Sequence, residues 1–198
     1  MTKTQKGSSG KNPVQDSASP WPRRLMIVGG FVAFVLLVAF ILDGTLDERV
    51  GGVPDGTEEV AVGAPQHVDG VIYAEDEVPA GGEHSSIWAN CGFYTEPVAA
   101  ENAVHSLEHG AVWITYRPDL ASDQLDILRG LARPIEKVLA SPVLDQDSPI
   151  MATAWGTQLE MSSADDPRLD QFVVEFAGSH NAPEPGGACT RGVGSPDG

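Results

Sequence analysis

The chain is poor in cysteine: 198 residues contain only Cys91 and Cys189. That excludes a four-cysteine zinc module and a disulfide-dense miniprotein, and leaves room for a single bridge. Positive charge is also scarce. Twelve Lys and Arg against 28 Asp and Glu give a net charge of −16, the wrong sign for a protein that holds nucleic acid by neutralising phosphates. The length suits one ordinary domain with extensions rather than two, and no internal repeat is present. Long apolar runs are rare as well, since there is one.

That run is residues 25–42 (LMIVGGFVAFVLLVAFIL), uncharged and free of proline, between Arg23–Arg24 and Asp43. At 1.5 Å per residue its helix just reaches across a hydrocarbon core of roughly 30 Å, so a transmembrane helix is expected there. The leader, 1–24, carries Lys3, Lys6, Lys11, Arg23 and Arg24 against Asp16, a net of +4, which leaves −20 for the remainder. Basic flanks stay inside, so the N-terminus is expected in the cytoplasm and the C-terminal part outside. A cleaved signal peptide has a shorter apolar stretch, roughly 7 to 15 residues, and an A-x-A-like site. The sequence AFILDGTLDER offers no such site, and an uncleaved anchor is favoured. The leader reads as a disordered cytoplasmic tail and residues 43–65 as an acidic, solvated linker, because neither has apolar periodicity to offset the entropy of ordering.

Residues 66–192 hold nine of the aromatic side chains and read as one extracytoplasmic domain, with 193–198 a disordered tail. Residues 111–116 (AVWITY) predict a strand, 149–155 (PIMATAW) a second and 71–73 a weaker third. Residues 122–131 (SDQLDILRGL) predict a helix with Ser122 as its cap. Pro134 kinks or restarts it, with Ile135, Val138 and Leu139 extending an apolar face. A last helix is expected from Asp166 or Pro167 to about Ala177. The fold class is thus α+β: a single N-terminal transmembrane helix, then one small extracytoplasmic domain of mixed α/β type.

Four of the five histidines, His67, His84, His105 and His109, fall within 43 residues, with His180 apart from them. The tightest element, His105-Ser106-Leu107-Glu108-His109, has the H-x-x-E-H pattern of inverzincin peptidases. On a helix its two imidazoles share a face one turn apart and can chelate one metal. Residues 99–104 are helix-compatible, and Gly110 suits the residue after a helix end. The competing reading makes the pair half-buried, hydrogen-bonded residues at a helix-to-strand corner. Cys91, beside aromatics, can be a thiolate ligand or half of a disulfide, and an oxidising outer compartment favours the disulfide. With no third cysteine to compete, Cys91 and Cys189 are expected to pair and to hold the Pro-rich segment 182–192 beside the histidines.

The segments 81–120 and 182–192 together resemble the bacterial membrane-anchored family known as domain of unknown function 3105. Its G-x-H-x-x-x-W element corresponds to Gly82, His84 and Trp88, its C-G-x-Y to Cys91, Gly92 and Tyr94, and its H-x-L-E-H-G to His105 through Gly110. The strand that follows ends at Tyr116 and Pro118. Glu83 stands where members usually have proline before the first histidine. The resemblance implies one domain with a site at these histidines, and names no reaction.

Three function classes follow. In the first, the domain binds a copper or zinc ion through His84, His105 and His109, with His67, Met151 and Met161 as further donors and Glu108 orienting an imidazole from behind. In the second it is a zinc peptidase with Glu108 as base. In the third the histidines are structural and the domain is a non-catalytic envelope interaction module. An enzyme is the less favoured outcome, because the helix carrying the motif stops at Gly110. The expected partner is the membrane, through one N-terminal helix.

Overall fold

The computed structural model describes residues 52–197, together with Thr2. The expected transmembrane helix at 25–42 lies outside the described residues. Among the described residues no helix is long and apolar enough to cross a membrane.

The elements run β1 (Glu58–Glu59), β2 (Gln66–His67), β3 (Glu83–His84), β4 (Gly92–Phe93), α1 (Ala100–Glu108), β5 (Val112–Tyr116), α2 (Ser122–Leu131), a 3-10 turn (Pro134–Glu136), β6 (Val138–Pro142), β7 (Ile150–Ala154), β8 (Thr157–Met161) and α3 (Pro167–Phe176). Six strands form the main sheet in the order β1-β8-β7-β5-β6-β4, and β2 pairs with β3 in a separate two-stranded ladder. β5 is parallel to β6, β6 to β4, and the β1, β8, β7, β5 side is antiparallel. The domain is therefore small and mixed α/β, with three helices on a mostly sheet core.

Strand alternation divides that core in two. Val112, Ile114 and Tyr116 of β5 face one side, where Leu128 of α2 and Leu169, Phe172 and Phe176 of α3 cover them. Trp113 faces the other, with Leu107 and Ala103 of α1, Tyr94 and both cysteines. All five residues of β5 are buried, which explains its unbroken run of β-branched and aromatic residues. The Cys91–Cys189 disulfide forms as expected, with Cα atoms 5.3 Å apart.

Several expectations are corrected. After Pro134 the chain makes one 3-10 turn and then β6, not a continued helix: Lys137 takes a left-handed φ of 53°, and Val138 and Leu139 point into opposite cores, which only a strand allows. Residues 71–73 form no strand, because the Ile72 and Tyr73 amides donate to Glu101 Oε1 at 2.7 and 3.2 Å instead of to a ladder. Ser122 is the first helical residue rather than the cap of α2, whereas Asp166 does cap α3 by accepting from the Arg168 amide.

The acidic stretch is not solvated to its end. β1 lies antiparallel on β8, pairing Glu58 with Gln158 and Glu59 with Thr157. Arg168 and Gln171 donate to the carbonyls of Asp55 and Gly52. The carboxylates stay exposed while the backbone covers an otherwise open sheet edge. Nor are residues 193–197 a free tail. Val193 bridges to Ala89, and the Asp197 carboxylate accepts from the Thr95 amide and hydroxyl at 2.7 Å each.

Candidate metal centre

The helix α1 ends in a Schellman turn: Gly110 N donates to Leu107 O at 2.9 Å and Ala111 N to Ser106 O at 2.9 Å. Gly110 sits at φ 84°, which a residue with a Cβ takes up only with strain. The helix therefore stops at the motif and turns straight into β5, leaving His105, Glu108 and His109 on one face of its last turn. The β2–β3 ladder brings up the rest, because its parallel register sets His67 directly beside His84. The Ser106 hydroxyl fastens α1 to the neighbouring segment by donating to Ala89 O at 2.8 Å.

Backbone carbonyls orient three of the imidazoles. His84 Nδ1 donates to Gly82 O at 2.8 Å, His105 Nδ1 to Ser85 O at 2.7 Å and His109 Nδ1 to Ala188 O at 2.7 Å. A carbonyl only accepts, so each ring carries its proton on Nδ1 and in its neutral form presents a bare lone pair at Nε2. Those lone pairs converge. His84 Nε2 lies 3.0 Å from Glu108 Oε2, His105 Nε2 lies 3.1 Å from His109 Nε2 and 3.8 Å from Glu108 Oε2, and His67 Nε2 is 3.6 Å from the same carboxylate oxygen. Five acceptor atoms gathered in this way repel one another unless a cation or shared protons sit among them.

His84, His105, His109 and Glu108 are buried, while the His67 side chain is 50% exposed and forms the edge open to water. Trp88 packs on His105 and His109, and Trp155 meets His84 edge-on. Burial holds the His105 pKa below the ordinary imidazole value, with the neighbouring His109 and His84 adding to this against the Ser85 carbonyl and Glu108. Its neutral, ligand-competent form therefore persists to lower pH.

The donor atoms of His67, His84, His105 and Glu108 all lie within 4.8 Å of one another, a His3Glu cluster that could hold a metal ion. This set differs from the expected trio. His67 is a full member, Glu108 stands inside the donor set because carbonyls do the orienting assigned to it, and His109 flanks the cluster beyond His105. Met161 is not there, being buried in the core beneath α2 and α3, Met151 sits in β7 opposite Thr115 of β5, and the exposed His180 is not part of the cluster. Sequence reasoning missed Glu184, whose Oε2 lies 3.8 Å from His109 Nε2 and whose amide donates to Glu108 O at 2.9 Å. Nothing local marks it, since only the fold and the nearby disulfide bring residues 184–189 across α1. It also missed Lys137, whose Nζ donates to His109 O and Gly187 O at 2.8 and 3.1 Å.

The model of the family described as protein of unknown function (DUF3105) matches residues 67–191. The chain belongs to that family. The matched segment opens on His67 and closes two residues beyond Cys189, so it contains the whole His3Glu cluster and the disulfide. No curated protein and no solved structure matches the chain.

Proposed function

We propose that this domain is a metal-binding module that takes up one zinc or copper ion through His67, His84, His105 and Glu108. The observation that carries the reading is the convergence of bare Nε2 atoms on one carboxylate, with the Nδ1 protons of His84 and His105 already committed to backbone carbonyls. Metal-bound imidazoles are held in this manner, their second nitrogen donating to a carbonyl or carboxylate. An N3O set suits zinc and Cu(II). With Met161 buried elsewhere, the four donors include no sulfur to select Cu(I). Glu108 lies inside the donor set, so its carboxylate serves as a ligand and is not free to act as base on a bound water. That favours binding over peptidase chemistry for the H-x-x-E-H element.

The module is further proposed to stand outside the cytoplasmic membrane on the apolar helix 25–42. The support is the basic leader, the acidic remainder and the disulfide, which suits an oxidising compartment. Elemental analysis of the purified full chain after dialysis against zinc or copper tests the metal reading. Stoichiometric metal is expected in the wild type, and its loss in a His84→Gln, His105→Gln double variant that keeps its circular dichroism spectrum. Equal metal in both proteins, or none in either, would leave the interaction module standing.

A further inference from the structure

The donors around α1 outnumber what one ion takes. Beyond the His3Glu cluster stand His109 and Glu184, and successive donor atoms form a chain. From Glu108 Oε2 it is 3.8 Å to His105 Nε2, then 3.1 Å to His109 Nε2, then 3.8 Å to Glu184 Oε2. Two ligands of a tetrahedral ion, each at about 2.0–2.1 Å, stand roughly 3.3 Å apart. The His105–His109 separation is therefore that of two imidazoles sharing an ion, and so is the 3.0 Å between His84 Nε2 and Glu108 Oε2. These two pairs have no member in common. His109 cannot join the first group, because its donor atom falls outside the set that lies within 4.8 Å. Yet it is prepared in the same way as the others: buried, its Nδ1 proton given to Ala188 O, its ring capped by Trp88.

We infer that His105, His109 and Glu184 form a second metal position, so that the centre holds two divalent ions, the first then kept by His67, His84 and Glu108. This rests on the metal-binding reading above and extends it. An imidazole offers one lone pair and cannot serve both ions, so His105 passes to the second when both are present. The Glu108 carboxylate is the bridge between them, its Oε2 standing 3.0 Å from His84 Nε2 on one side and 3.8 Å from His105 Nε2 on the other. Paired divalent ions about 3.5–4 Å apart are a recurring arrangement in protein sites. The second position draws on the segment that the disulfide fastens, since Glu184 and Ala188 both lie just before Cys189. Glu184 is largely exposed, so this ion is the more accessible from the 184–188 side and the first from the His67 side.

Equilibrium dialysis of the full chain against Zn²⁺, with metal per chain read by mass spectrometry, tests the inference. Two equivalents are expected in the wild type, falling to one in Glu184→Gln and in His109→Gln. The exposed Glu184 tolerates the change without loss of fold, so the result does not depend on the buried His109. One equivalent in the wild type, unchanged in both variants, would overturn the second position while leaving the first intact. Loss of all metal in Glu184→Gln would show the six donors acting as one site and would also overturn it. No metal in any form would remove the underlying reading as well.

Discussion

Removing the disulfide should be the most damaging conservative change available in this domain. Cys91 and Cys189 are 98 residues apart, and closing a loop of about 100 residues stabilises by roughly 4.7 kcal/mol in the chain-entropy model, near the top of the 2–5 kcal/mol usually lost with a native bridge. For a domain of roughly 150 residues each kcal/mol moves the melting temperature by about 2–4 °C. A Cys91→Ser, Cys189→Ser variant of the full chain should therefore melt roughly 10–15 °C lower than the wild type, and the wild type should show the same drop in reductant. The hydrogen bonds beside the bridge, Cys91 N to Cys189 O at 2.8 Å, Asn90 N to Val193 O at 2.8 Å and Val193 N to Trp88 O at 2.9 Å, belong to the same unit. Their amides should exchange with solvent faster than those of β5. Differential scanning calorimetry with and without reductant measures the shift. A change under 3 °C would refute the premise that the bridge restricts the unfolded chain, and would mean that residues 184–193 are held by their polar contacts alone.

Three further outcomes are expected. Because burial depresses the His105 pKa, the unfolded chain takes up a proton near pH 6.5 that the folded chain refuses until lower pH. Stability of the metal-free protein should thus fall as pH drops below about 6.5, by at most about 1.4 kcal/mol per pH unit for this group, and urea midpoints measured from pH 7.5 to 5 should show a decline that His105→Gln reduces. Asp166→Ala removes the only side-chain cap among the three described helices and should cost about 1 kcal/mol, seen as a lower urea midpoint with unchanged slope. Gly187→Ala places a Cβ against the His109 ring. It should destabilise by about 1–3 kcal/mol through overpacking and reduce zinc uptake, whereas an unaffected melting temperature would show that the 184–188 segment can yield.

What the sequence made legible was whatever depended on local pattern. β5 and α2 announced themselves through an unbroken apolar run and a 3.6-residue repeat, and α3 through Asp166-Pro167 at its start. The H-x-x-E-H element gave both the end of α1 and the face carrying His105, Glu108 and His109. What it withheld was pairing. β1, β2, β3 and β4 are two residues each, too short for any alternation to register. β6 was misread because Ile135, Val138 and Leu139 fit a helical spacing as well as Val138 and Leu139 fit a strand, and only β5 waiting as a parallel partner decides between them. The membership of His67 depends on its register with His84, and the place of Glu184 on a fold that closes across 75 residues. Neither leaves a trace in composition or spacing.

The exposure of His67 bears on how fast an ion comes and goes, a question separate from how tightly it is held. Three of the four clustered donors are buried, but His67 stands on a two-residue strand whose residues are both exposed. Beyond the ladder itself, Val68 N donating to His84 O at 2.8 Å ties the segment down. Short edge segments of this kind open at a small fraction of the free energy needed to unfold a domain. An ion in the cluster would then exchange through brief fraying of residues 66–68, while the core around Trp113 and Phe172 stays closed. Its residence time would be set by one frayed edge, and a partner gripping that edge could hasten or block release without touching the metal.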